Sequence, residues 1–124
     1  MTKGRHVLLV EDEPNIAEAI SFLLTRDGCQ VTTLADGSEV LATLRRQSVD
    51  ALILDLMLPG ASGLEVLAAI RADAALSSLP VMMLTAKGQP HDRDAAARAG
   101  ADRFMTKPFA NAEMVAEVRG LLGG

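Results

Sequence analysis

The chain has 124 residues, 49% hydrophobic and 23% charged, enough to bury about two thirds of its unfolded surface in one core without disulfides. Twelve Lys and Arg against 16 Asp and Glu give a formal charge of −4, which argues against nucleic-acid binding through the general surface of this segment. The single cysteine, Cys29, excludes an intrachain disulfide framework and a cysteine-based structural zinc site, and the apolar runs are far too short to cross a membrane.

In chain order, residues 7–10 (VLLV) form an apolar run too short for a buried helix and without polar alternation, the pattern of a strand covered on both faces. The run leads at once into Glu11, Asp12 and Glu13, with no signal-peptide cleavage region, so a cytoplasmic location is expected. Ile16, Ala19, Ile20, Leu23 and Leu24 then make a helical stripe, with Pro14 suited to the first turn. Gly28 marks a turn, Cys29 reads as a small turn or strand residue, and residues 31–34 (VTTL) give a weaker strand. After Gly37, a helix within 38–47 carries Val40, Leu41 and Leu44.

Residues 51–54 (ALIL) repeat the first strand's pattern and run into Asp55, with a turn at Pro59-Gly60. Leu64, Leu67, Ala68 and Ile70 define a third helix opening near Ser62 and Gly63. Residues 81–84 (VMML) precede Thr85, and the alanine-rich stretch 90–99 has only a weak apolar face before Gly100. Residues 103–106 (RFMT) are polar at both ends and suit a sheet edge. The last helix carries Met114, Val115, Val118, Leu121 and Leu122, with Asn111 or Ala110 at its N-terminal boundary. His6 and His91 read as surface residues. The alternation of strand and helix predicts one doubly wound α/β domain, residues 1–124 with a core at about 5–122, and a parallel sheet with helices on both faces.

Open parallel sheets place their chemistry beyond the carboxyl ends of the strands. Those positions hold Glu11, Asp12, Asp55, Thr85 and Lys107, so three carboxylates converge with a hydroxyl and an ammonium. Two like charges about 4 Å apart repel by about 4 kcal/mol at an effective dielectric near 20. A cation relieves such a cluster, and oxygen donors without His or Cys point to Mg²⁺, with Mn²⁺ as a substitute.

Glu11-Asp12, Asp55 followed by Leu-Met-Leu-Pro-Gly, Thr85-Ala86 and Lys107-Pro108-Phe109 together resemble the receiver domain of two-component response regulators, from Val7 to about Leu122. The resemblance implies a flavodoxin-like fold with strand order 2-1-3-4-5. It also implies that Asp55 accepts a phosphoryl group from a phosphohistidine on a histidine kinase or a histidine phosphotransfer protein. By the same resemblance Asp12, Asp55 and the Met57 carbonyl hold the metal directly, and Glu11 acts through a water. Lys107, Thr85 and the Ala86 N–H contact the phosphoryl oxygens, and the Lys107–Pro108 bond is cis.

Further family features have counterparts here. Thr85 and Phe104 match the switch pair that remodels the face made by the fourth helix, fifth strand and fifth helix. Many relatives have Tyr where Phe104 stands, so a hydroxyl contact is lost. Arg93 and Glu113 match one charge pair of a dimerisation face, while Arg103 and Glu117 match another with the signs exchanged. Weak homodimerisation through that face is therefore expected. Ser62 stands where many relatives have Asp, a change expected to weaken capping slightly. Met57 and Lys87 occupy positions that tune the hydrolytic water and supply no carboxylate or amide, which implies slow autodephosphorylation. Metabolic enzyme activity is not expected.

Three other readings compete. A pseudo-receiver would use the same face for protein interaction without phosphorylation. A flavodoxin-like electron carrier is disfavoured because Glu11, Asp12 and Glu13 repel an FMN phosphate. An aspartyl phosphohydrolase would need a cap segment that the sequence lacks. Both a free-standing regulator and the N-terminal part of a longer transcription factor fit the sequence.

Overall fold

Two of the five strands in the computed structural model, which describes residues 4–86 and 90–123, consist entirely of buried residues. The strands are β1 (His6–Val10), β2 (Gln30–Leu34), β3 (Ala51–Asp55), β4 (Val81–Thr85) and β5 (Arg103–Thr106). They pair in parallel in the order β2-β1-β3-β4-β5, the order expected from the resemblance. The edges are β2 and β5, the two strands with the least apolar sequences.

The helices are α1 (Pro14–Arg26), α2 (Val40–Arg46, behind a short 3₁₀ turn), α3 (Gly63–Ala72), α4 (Pro90–Ala99) and α5 (Asn111–Leu121). Because side chains alternate along a strand, the sheet has two apolar layers. Val7, Leu9, Ile53 and Leu84 pack under α1 and α5 with Ile20, Leu24, Met114 and Val118. Leu8, Val10, Leu52, Leu54 and Met83 pack under α2, α3 and α4 with Val40, Leu67, Ile70 and Ala96. Truncating a fully buried leucine such as Leu67 to alanine costs about 2–5 kcal/mol.

Several expectations are corrected. Ala19 and Ala68 are exposed, and Val66 takes the buried place in α3 beside Leu67 and Ile70. Ser62 caps α3 in a reciprocal box: its hydroxyl accepts from the Glu65 N–H at 3.3 Å, while the Glu65 carboxylate accepts from the Ser62 N–H at 3.1 Å. His6 is half-buried rather than a surface residue. Its ring nitrogens lie 2.8 Å from the Ser48 carbonyl and 2.7 Å from Thr32 Oγ1, tying β1 to β2 and to the segment before β3. Of the two candidates for the N-terminal boundary of α5, Ala110 is the N-cap, and Cys29, just before β2, is buried. Lys87, expected beside the site, lies outside the described residues.

Gly60 shows how the loops above the sheet are held. Its φ is 83°, and a Cβ there would lie 1.9 Å from Asp36 Oδ1. Asp36 in turn accepts from the Ser38 N–H at 2.7 Å, so the β2–α2 and β3–α3 loops interlock beside the strand ends.

Candidate functional site

Register brings the acidic strand ends together. Val10 pairs with Leu54, which sets the following residues, Glu11 and Asp55, side by side. Thr85 pairs with Thr106, and the Lys107 N–H donates to the Thr85 carbonyl at 2.8 Å, fixing the start of the β5–α5 loop. The Lys107–Pro108 peptide is cis, as the resemblance implied.

Asp55 is 3% exposed; its Oδ1 accepts from the Met57 N–H at 3.0 Å and its Oδ2 lies 2.9 Å from Lys107 Nζ. Glu11 is also buried. Its Oε2 accepts from the Glu13 N–H at 3.0 Å, and its Oε1 lies 2.8 Å from the same ammonium. Asp12 faces solvent at the start of α1. Each of Glu11, Asp12 and Asp55 offers a carboxylate oxygen within 4.8 Å of the others. Thr85 is fully buried at the end of β4, next to exposed Ala86, and the Met57 side chain reaches into solvent.

Burial holds the Glu11 carboxyl above the usual carboxylate range, against the lowering pull of Lys107 and the Glu13 N–H; the Asp55 charge adds to the rise. Burial works against charge on Lys107. Hydrogen bonds and attraction from Glu11 and Asp55 outweigh it and hold the ammonium above the ordinary lysine value. One lysine among these carboxylates leaves the cluster net negative. Three carboxylate oxygens at this spacing, with no nitrogen or sulfur donor, fit a hard divalent cation such as Mg²⁺.

One residue that the reading of the sequence left out of the site belongs here. Glu13 Oε1 lies 3.3 Å from Lys107 Nζ. Its position directly after Glu11-Asp12 was the available signal. The predicted interface residues lie elsewhere, on the α4–β5–α5 face. Arg93 lies over the Phe104 ring with its guanidinium carbon 4.7 Å from the centroid. Arg103 Nη1 lies 2.8 Å from Glu117 Oε1 within the same chain, and Glu113 is exposed in the first turn of α5. A groove of about 780 Å³ runs beside α1 from Glu11 and Asp12 to Phe22 and Arg26.

Residues 7–119 match the family described as the response regulator receiver domain. The chain is 47% identical over 116 residues to the probable transcriptional regulatory protein TcrX of Mycobacterium tuberculosis, covering 94% of this chain and 49% of that protein. It is 41% identical to the sensory transduction protein RegX3 of Mycolicibacterium smegmatis, covering 94% and 50% respectively. The chain thus spans about half the length of these relatives. Among solved structures, a putative response regulator from Chloroflexus aurantiacus superposes with a TM-score of 0.93 at 34% identity, over 98% of this chain and all of that one. The receiver domain of a Pseudomonas aeruginosa sensor histidine kinase, with a magnesium ion coordinated in its active-site cleft, gives 0.89 at 33% identity, over 98% and 99% of the two chains.

The order of the strands, the acidic cluster at their ends and these likenesses agree: this chain belongs to the response regulator receiver domain family. They support phosphoacceptor chemistry of the receiver kind at a site suited to magnesium. Among the described residues no helix is long and apolar enough to cross a membrane.

Proposed function

We propose that Asp55 accepts a phosphoryl group from a phosphohistidine on a histidine kinase or phosphotransfer protein, and that this chain passes the change to its α4–β5–α5 face. The observation that carries this reading is the meeting of Asp55 with both Lys107 Nζ, at 2.9 Å, and the oxygens of Glu11 and Asp12. A nucleophilic carboxylate needs a counter-charge for the incoming phosphoryl oxygens and a nearby group to offset charge in the transfer.

Asp12, Asp55 and the Met57 carbonyl are the residues that would hold Mg²⁺. Glu11, with one oxygen near Lys107 and the other on the Glu13 N–H, is better placed to act through a water. When bound, the metal supplies charge neutralisation for the carboxylate and phosphoryl oxygens. The Asp55 oxygen attacks phosphorus in line, and the bond to the donor imidazole breaks. Lys107 moves its charge from Asp55 to a phosphoryl oxygen. The Thr85 hydroxyl and the Ala86 N–H hold the others, and the position Thr85 takes is passed to Phe104. Met57 offers no carboxylate or amide to orient water, so the acyl phosphate is long-lived.

The test is transfer from a phosphohistidine-bearing partner in the presence of Mg²⁺. Label should pass to the wild-type chain and not to Asp55→Asn. Failure to accept label from any phosphohistidine or small donor would revive the interaction-module reading.

A further inference from the structure

Glu13 occupies a place that the proposed chemistry leaves unused. It is the N-cap of α1, yet its side chain makes no capping hydrogen bond. Its Oε1 lies instead 3.3 Å from Lys107 Nζ, and the side chain is 60% exposed, whereas those of Glu11 and Asp55 are buried. Glu13 and Lys107 both line a hollow of about 400 Å³ whose walls also include Ile16, Ala86 and Phe109. An anion moving toward Lys107 by this route passes the Glu13 carboxylate. Any anion reaching the site also meets a cluster that is already net negative.

Resting on the assignment of Asp55 as acceptor and Lys107 as phosphoryl partner, we infer that Glu13 is a positioning residue that selects against free anionic phosphodonors. It does so in two ways. It competes with the donor for the Lys107 ammonium, and it adds a negative charge at the rim. A docked protein draws its affinity from contact area and tolerates that charge, whereas a small anion has little besides charge to hold it. The exposure of Glu13 makes this effect sensitive to salt, while the buried Lys107–Asp55 contact is screened much less.

The probe is acetyl phosphate with Mg²⁺. An Asp55 oxygen forms a bond to phosphorus as the phosphorus–oxygen bond to the acetyl group breaks, and the electron pair leaves with acetate. Glu13→Gln should be phosphorylated roughly three- to tenfold faster than wild type at low ionic strength, the effect of one charge on a dianion several ångströms away. That gain should shrink toward unity near ~0.5 M salt. Glu13→Asp, which keeps the charge, should stay close to wild type. Beryllofluoride, a phosphoryl mimic needing no turnover, should bind Glu13→Gln at lower concentration, read from the Lys107 amide resonance. A Glu13→Gln rate equal to wild type, or a gain unchanged by salt, overturns the inference while leaving Asp55 as acceptor. Absence of acetyl phosphate labelling in wild type and Glu13→Gln alike overturns this inference, while the acceptor assignment falls only if transfer from a phosphohistidine-bearing partner fails too.

Discussion

Lys107 Nζ lies 2.9 Å from Asp55 Oδ2 and 2.8 Å from Glu11 Oε1, so one ammonium joins the ends of β1 and β3 from its own place after β5. Its side chain is 8% exposed, which makes the contact a buried one. Removing a buried counter-charge leaves the carboxylates uncompensated. Lys107→Met should therefore lose about 2–3 kcal/mol in metal-free buffer, less than for a fully enclosed pair because Glu13 keeps one side solvated. Urea denaturation measures this, and adding Glu11→Gln to Lys107→Met should recover part of the loss.

The pH dependence has a defined sign. Burial places the folded-state value of Glu11 above its ordinary 4.5, so the folded chain binds that proton more tightly than the unfolded one. The resulting stabilisation is fully present below pH 4.5 and is lost as pH rises through the folded value. Without metal, wild type should lose stability relative to Glu11→Gln across that window, as read by denaturation at stepped pH. Lys107 acts with the same sign at the alkaline end. Its contribution holds below 10.5 and disappears as pH climbs through its higher folded value.

Strand positions were legible because strands covered on both faces lose polar alternation, as in residues 7–10, 51–54 and 81–84. The ladder extends one residue further at His6, Gln30, Asp55 and Thr85, since backbone pairing needs no apolar side chain. Ala19 and Ala68 were misplaced because a methyl group fits a buried or an exposed face, and period alone does not choose between them. The acidic residues of the site were readable from strand ends. The Glu13–Lys107 contact and the Arg103–Glu117 pair were not, because each depends on how separate elements lie across one another.

Magnesium should stabilise the chain by an amount that grows with the logarithm of its concentration above Kd. At about one hundred times its Kd the expected gain is about 2.7 kcal/mol. Asp12→Asn should be more stable than wild type without metal, because it relieves repulsion among the three carboxylates, and should gain less at the same Mg²⁺ concentration. Thermal denaturation over a magnesium series checks both; equal gains in the two chains would remove Asp12 from the metal site.

Three of the charged residues expected at the α4–β5–α5 interface, Arg93, Arg103 and Glu117, make contacts internal to the chain. Arg103 pairs with Glu117, and Arg93 stacks on Phe104. A two-fold pairing of copies has to exchange these for contacts across the axis. Sedimentation should therefore show monomers in the resting chain and weak dimers in its beryllofluoride complex, with Arg103→Glu reducing dimerisation by setting like charges opposite one another. A complex that stays monomeric at high concentration rules the dimer out.

The most direct test maps the acyl phosphate itself. After reaction with a phosphodonor and Mg²⁺, borohydride reduction converts a phosphorylated aspartate to homoserine, which peptide mass spectrometry locates. The account predicts homoserine at position 55 alone, dependent on Mg²⁺ and greatly diminished in Lys107→Ala. Homoserine at position 12, or none anywhere in a chain that binds magnesium, would contradict it.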